Sequence, residues 1–208
     1  VKQKGIVVHG NARWWAVVLA VSACAACSSS DDAQTNADKS AEALSGELAQ
    51  ARAAGVDQSQ LDVLAATSIA FEQYKSSMDR ALDCMRESGL QVVNSDVVRS
   101  NGQDIINYSV GAGTVAEDQA QAVQADCYKR FAQYVDEYWQ TSTPQGLAYE
   151  ERRAAALSDP LSSCLDSYGV DVAADASFHD LVVAASKHAQ AKQDEDCLSD
   201  VSYSTWEG

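Results

Sequence analysis

Four cysteines, Cys84, Cys127, Cys164 and Cys197, punctuate this chain, and their chemistry depends on where the first thirty residues send them. Lys2, Lys4 and Arg13 come first, followed by the apolar run from Trp14 to Ala23 and then Cys24. A basic start, an apolar stretch and a small-residue cleavage region make the layout of an export signal. Val21-Ser22-Ala23-Cys24 also matches the bacterial lipobox, in which an aliphatic residue and two small ones precede the cysteine that receives lipid. The apolar run is ten residues long, about half of the roughly 20 a bilayer-spanning helix needs. It therefore reads as the core of a cleaved signal rather than an anchor.

Residues 1–23 are accordingly expected to be a signal peptide, and 24–38 a lipidated N-terminus with a flexible Ser-, Asp- and Ala-rich spacer. Cys24 is the expected lipidation site. Cys27 is the alternative, with Cys24 where an aliphatic residue is preferred but a mature-looking Ser28-Ser29-Ser30-Asp31-Asp32 tail behind it. Each buried acyl CH₂ is worth about 0.8 kcal/mol, so two or three chains would hold the protein to membrane lipid. The expected address is the outer face of the cytoplasmic membrane.

In that oxidising space an even number of well-spaced cysteines reads as disulfides. Of the three possible connectivities, Cys84–Cys127 and Cys164–Cys197 each close one sequence-local module. Loops of 43 and 33 residues are worth roughly 4 kcal/mol each in the chain-entropy account. Zinc is the rival chemistry, but no C-x-x-C occurs past the signal, and His179 and His188 lie nine apart. No metal and no cofactor is expected. Without its signal the chain keeps 185 residues, with twelve basic against 30 acidic side chains, a net charge of −18. Such a surface repels phosphate backbones, which excludes nucleic acid as a partner.

Long tracts rich in Ala, Gln, Asp and Lys, with only two prolines in the chain, favour helix. Residues 38–54 read as a weakly amphipathic helix ending at Gly55, or as an extension of the spacer. Asp57 and Gln60 resemble a capping box opening a helix to Ser88, with Leu61, Leu64, Phe71, Tyr74, Met78, Leu82 and Met85 on its stripe. Val63 and Ile69 fall outside that stripe, and Gly89 is the expected C-terminal cap. Ser100-Asn101-Gly102-Gln103 sits between two β-prone runs and predicts a tight hairpin. Helix returns over 115–140, with Ala120, Val123, Cys127, Phe131, Tyr134 and Tyr138 on one face. Thr143-Pro144-Gln145-Gly146 then marks a boundary. Beyond it, helices are expected over 147–157, from Asp159-Pro160 to Gly169, and from a Ser177 box to about His188. The expected fold is mainly α with a small β-hairpin, in two disulfide-stapled helical modules, 39–143 and a smaller 144–208.

Cys84-Met85-Arg86-Glu87-Ser88-Gly89-Leu90 and Cys164-Leu165-Asp166-Ser167-Tyr168-Gly169-Val170 share Cys, an apolar residue, three residues, Gly and an apolar residue. They read as two diverged copies of one unit, the first carrying a hairpin insertion. With its signal, lipobox and C-M-R-x-x-G unit, the chain resembles small cell-envelope lipoproteins of high-G+C Gram-positive bacteria. The likeness covers the signal and roughly residues 71–203. That group is largely uncharacterised, and some members accompany export machinery of the ABC type. The resemblance implies localisation and disulfides, and carries no reaction with it. This chain departs from the pattern in lacking a proline-rich segment after the glycine, which leaves residues 170–177 without an assigned conformation.

No G-x-S-x-G elbow, H-E-x-x-H, Walker or dinucleotide-binding glycine pattern occurs. His179 and His188 fall on different faces of their predicted helix and read as surface or helix-end residues. Tyr128 and Trp139 lie off the stripe of their helix, and with Tyr203 and Trp206 they are the candidate contact residues for a partner. The expected function is that of a non-enzymatic lipoprotein binding an envelope protein partner or accompanying a transporter. Capture of a small solute is the alternative reading, and an envelope hydrolase the third.

Overall fold

Local sequence signals set most of the helix ends in the computed structural model, which describes residues 35–192 and 194–206. These residues form eight α-helices, one 3-10 turn and one two-stranded hairpin, a mainly helical fold. They divide into two compact units, 35–100 with 104–144, and 101–103 with 145–206.

In the first unit α1 (Asn36–Ala54) opens on a capping box, the Thr35 hydroxyl accepting from the Asp38 N–H. It closes on Gly55, whose φ of 65° is open to a residue without a Cβ. The helix expected over 57–88 is two helices, α2 (Gln58–Leu64) and α3 (Phe71–Glu87). The turn skipped between Leu64 and Phe71 is where the chain breaks. The break turns Ile69 into the core at 7% exposure, a residue that a continuous helix would leave off its stripe. Tyr74, Met78, Leu82 and Met85 then follow each other at three- and four-residue steps, and they and Ala81 are all buried. At the end of α3, Gly89 N–H bonds Arg86 O and Leu90 N–H bonds Met85 O (3.0 and 2.9 Å), a Schellman closure.

The hairpin is β1 (Gln91–Ser100) and β2 (Gln103–Gly111). Asn101 and Gly102 both have positive φ, 49° and 72°, as a two-residue primed turn requires. Gly113 (φ 59°) lies so close to Gly89 that a Cβ would sit 2.2 Å from its carbonyl oxygen. Only glycine lets the chain leave the hairpin beside the helix end.

The helix expected over 115–140 is also two, α4 (Glu117–Phe131) and α5 (Gln133–Ser142), separated at Ala132 (φ −135°, ψ −30°). Gln60 holds this break together. Its amide donates to Lys129 O and Arg130 O (3.1 and 3.0 Å) and accepts from Tyr134 N–H (2.8 Å), satisfying backbone groups that the interruption frees. Gln60 therefore serves a distant helix junction rather than the capping box expected of it, while Asp57 does cap α2.

In the second unit, helices expected on either side of Asp159-Pro160 are one, α6 (Pro144–Ser167), with Pro160 inside. Tyr149, Arg153, Leu157, Leu161 and Leu165 recur every fourth residue and are all buried, so packing runs straight through the proline. Ala156, whose carbonyl loses its usual donor at Pro160, lies on the exposed face. Gly169 (φ 69°) closes α6 with the same pair of bonds as Gly89, Gly169 N–H to Asp166 O and Val170 N–H to Leu165 O. Residues 170–177 form no regular element apart from a turn at 174–175. A Ser177 capping box then starts α7 (Phe178–Ala191). Asp196 caps the short α8 (Cys197–Asp200), and a 3-10 turn covers Tyr203–Thr205.

Candidate functional site

Both expected disulfides are present. Cys84 at the end of α3 joins Cys127 in the middle of α4, with Cα atoms 5.6 Å apart, and Cys164 on α6 joins Cys197 at the start of α8 at 5.7 Å. In each, the first cysteine stands one turn before a Schellman glycine and the second is buried, Cys127 at 2% and Cys197 at 1% exposure. The two C-x₄-G units thus share a local conformation as well as a sequence pattern. Cys24 and Cys27 lie outside the described residues.

The four candidate contact residues have different surroundings. Trp139 is buried, a correction to the exposed position expected for it. The break at Ala132 re-phases the helix so that Val135, Tyr138 and Trp139 share the inner face. Its ring stacks on Tyr74 at 5.1 Å, and its Nε1–H donates to Asp104 O at 2.9 Å. Tyr128 is half-buried and donates its hydroxyl to Asp136 at 2.7 Å. Tyr203 and Trp206 are half-buried in the second unit.

Asp136 on α5 is the centre of a polar network inside the first unit. Besides Tyr128 it accepts from Gln140 Nε2 (2.7 Å) and is hydrogen-bonded to Tyr74. Tyr74 Oη in turn accepts from Ile106 N–H at 3.0 Å, tying β2 to the network. Burial pushes the Asp136 carboxyl up, against the pull of its three donors. Burial and the Asp136 charge push both tyrosine hydroxyls up as well, so they stay protonated as donors. The arrangement locks α3, α4, α5 and β2 together.

Where α1 packs on α5, Glu47 faces Glu137 and Tyr134. Burial and the Glu137 carboxylate push the Glu47 carboxyl up to about 7. Its Oε2 is buried with no hydrogen-bond partner among the described residues. Glu137 is shifted upward too, chiefly by burial. Between the unfolded value of 4.5 and about 7 the folded chain therefore holds an extra proton at Glu47. Stability falls as pH rises through that window. Thermal melts should show Glu47→Gln flattening the fall, equal to wild type below the window and more stable above it; parallel profiles would contradict this.

The second unit holds a buried cation. Arg153 is 6% exposed and bonds Glu150 through Nη2 (2.5 and 2.6 Å), which also meets Tyr203 Oη at 3.0 Å. Its guanidinium lies over the rings of Tyr203 (4.2 Å) and Tyr149 (5.4 Å). The Tyr149 hydroxyl donates to Trp206 O. Two of the candidate contact aromatics are thus engaged with α6. His188, expected at the surface or at a helix end, lies in the last turn of α7 and is mostly covered: it bonds Glu195 at 2.6 Å and stacks on Tyr168.

Asp136 and Arg153 are residues that the sequence did not flag, and Gln60 was flagged for a different role. Arg153 had a signal, since it falls in step with Tyr149, Leu157, Leu161 and Leu165, but a boundary drawn at 157 hides the register. Asp136 and Gln60 act across the Ala132 break, and nothing local marks that role. Among the described residues no three of His, Cys, Asp and Glu gather as a metal set, and no helix is long and apolar enough to cross a membrane. Compared with protein-family models, with curated proteins and with solved structures, the chain finds no match.

Proposed function

We propose that this chain is a lipid-anchored extracytoplasmic lipoprotein that acts without catalysis, binding a protein partner in an envelope complex or accompanying a transporter. The observation that carries the reading is the pairing of a lipobox at Val21–Cys24 with four later cysteines that are all closed in disulfides. Disulfides of this kind belong to oxidising compartments, and the lipobox supplies a route to one. The polar groups drawn together inside the chain support the non-catalytic part. The Asp136 carboxylate and Arg153 Nη2 are committed to structural bonds, and the tyrosines around Asp136 are held protonated.

Metabolic labelling with a fatty-acid analogue tests the anchor. Wild type and Cys27→Ala should take up label, and Cys24→Ala should lose it entirely. Label that survives Cys24→Ala and disappears in Cys27→Ala would move the site, and an unlabelled wild type would end the proposal. Crosslinking in intact cells should recover an envelope protein bound to the labelled chain. Recovery of cytosolic neighbours alone would contradict the reading.

A further inference from the structure

The hairpin has two outer edges, and the structure treats them differently. The two-residue turn places Arg99 opposite Asp104, in agreement with their 3.1 Å ion pair, and Val97 opposite Ile106. On β2 the backbone groups of Asp104 and Ile106 that point away from β1 are met by Trp139 and Tyr74 from the helices. By the same alternation, the N–H and C=O groups of Val93, Ser95, Val97 and Arg99 point outward from β1. Among the described residues, no backbone hydrogen bond outside the hairpin involves any of the four. Among the described residues the sheet has two strands, and no third strand covers this edge.

Val93 and Val97, 64% and 51% exposed, are also the large hydrophobics that stand out in solvent among the described residues. Both lie on one face of β1, two positions either side of which sits Ser95. Natural sheets guard a free edge with charged side chains, Lys above all, with Pro, a bulge or brevity. This strand has ten residues, no Lys and no Pro; of its two charges, Arg99 is paired with Asp104, and Asp96 lies on the face opposite Val93 and Val97.

We infer that the outer edge of β1 pairs with the β1 edge of a second copy of this chain, joining two hairpins into one four-stranded antiparallel sheet. The occupant is identified by the strand's own pattern. Val92-Val93-Asn94-Ser95-Asp96-Val97-Val98 is a near-palindrome about Ser95, broken only by Asn94 against Asp96. A two-fold axis sets each residue opposite its mirror position, so a near-palindromic strand paired antiparallel with its own copy sets like residues opposite each other. With the axis at Ser95, Val93 meets Val97 of the second copy on the exposed face. On the other face Val92 meets Val98 and Asn94 meets Asp96, an amide facing a carboxylate. Gln91 meets Arg99. A slide of two residues toward the turn would instead set Asp96 against its own copy, and directly opposed like charges destabilise a sheet. Charge opposes that slide, and the apolar pairs favour the register centred on Ser95. The pairing needs neither the lipid anchor nor an envelope partner, so it goes beyond the function proposed above.

The test uses the full chain in detergent, with Cys27→Ala to remove the remaining thiol and one added cysteine, the two native disulfides verified by peptide mapping. Under mild oxidation Ser95→Cys, at the axis, should form a covalent dimer, while Ser76→Cys on the exposed side of α3 should not. Adding Val93→Lys and Val97→Lys to Ser95→Cys should lower the dimer yield by about tenfold or more, from lost apolar pairs and opposed charge. The thermal midpoint of the monomer should be unchanged, because both side chains are exposed. Absence of the Ser95→Cys dimer, equal yields at 76 and 95, or a yield indifferent to the lysines would each overturn the inference. A chain whose edge takes an extended peptide from another protein instead would give the first of these results.

Discussion

Replacing Cys164 and Cys197 together by serine is expected to remove most of the stability of the second unit. The lost cross-link closes a loop of 33 residues, worth about 4 kcal/mol of denatured-state entropy. Against it stands a small core of Leu161, Leu165, Leu181 and Ala185, with Cys197 itself the fifth buried member. A unit of some sixty residues has roughly 3–9 kcal/mol in total, so the loss takes a large part of it. Amide exchange should show α7 and the second half of α6 losing protection. Wild-type protection in α7 would contradict the account. Cys84→Ser with Cys127→Ser removes a comparable 43-residue constraint from the first unit. The core there is much larger, from Leu44 through Trp139, so the same loss should lower its midpoint and leave it folded.

Trp139→Ala is expected to cost about 3–5 kcal/mol, the range for deleting a buried large aromatic. The ring is stacked on Tyr74 at an interplanar angle of 9° and lies 6.0 Å from Phe71, so truncation opens a cavity between α3 and α5. It also leaves the Asp104 carbonyl without its Nε1–H donor. Denaturant unfolding should separate the two contributions. Trp139→Phe keeps most of the packing and loses the bond, for a cost nearer 1 kcal/mol beyond the smaller ring. Within about 0.5 kcal/mol of wild type is what an exposed contact residue would give. That result for Trp139→Ala would contradict burial and reinstate Trp139 as a docking residue.

Features set by a few adjacent residues were readable from the chain. Asn101-Gly102 specifies its turn because both residues tolerate positive φ, Gly89 and Gly169 close helices for the same reason, and Ser177 with Asp180 caps α7. The disulfide pairing followed from loop locality, supported by Cys127 lying in an apolar stripe. Features that depend on a partner far along the chain were not readable. The interruption at Ala132 is stabilised by Gln60, more than seventy residues earlier, and nothing near Ala132 announces it. Trp139 reaches the core only because that break rotates α5. Pro160 is a strong local stop signal, but the four-residue stripe from Tyr149 to Leu165 outweighs it by burying every member. The Asp136 network escaped notice for a related reason: a carboxylate on an otherwise ordinary helix acquires its meaning from Tyr74 and Tyr128, which other helices bring to it.

The account rests on export into an oxidising space, and peptide mapping of the protein taken directly from cells addresses this most directly. Free thiols are to be blocked at lysis and the digest kept unreduced. The predicted result is an N-terminal peptide beginning at an acylated Cys24, a Cys84–Cys127 pair and a Cys164–Cys197 pair. Blocked, unpaired thiols at all four positions on a chain that retains residues 1–23 would contradict it.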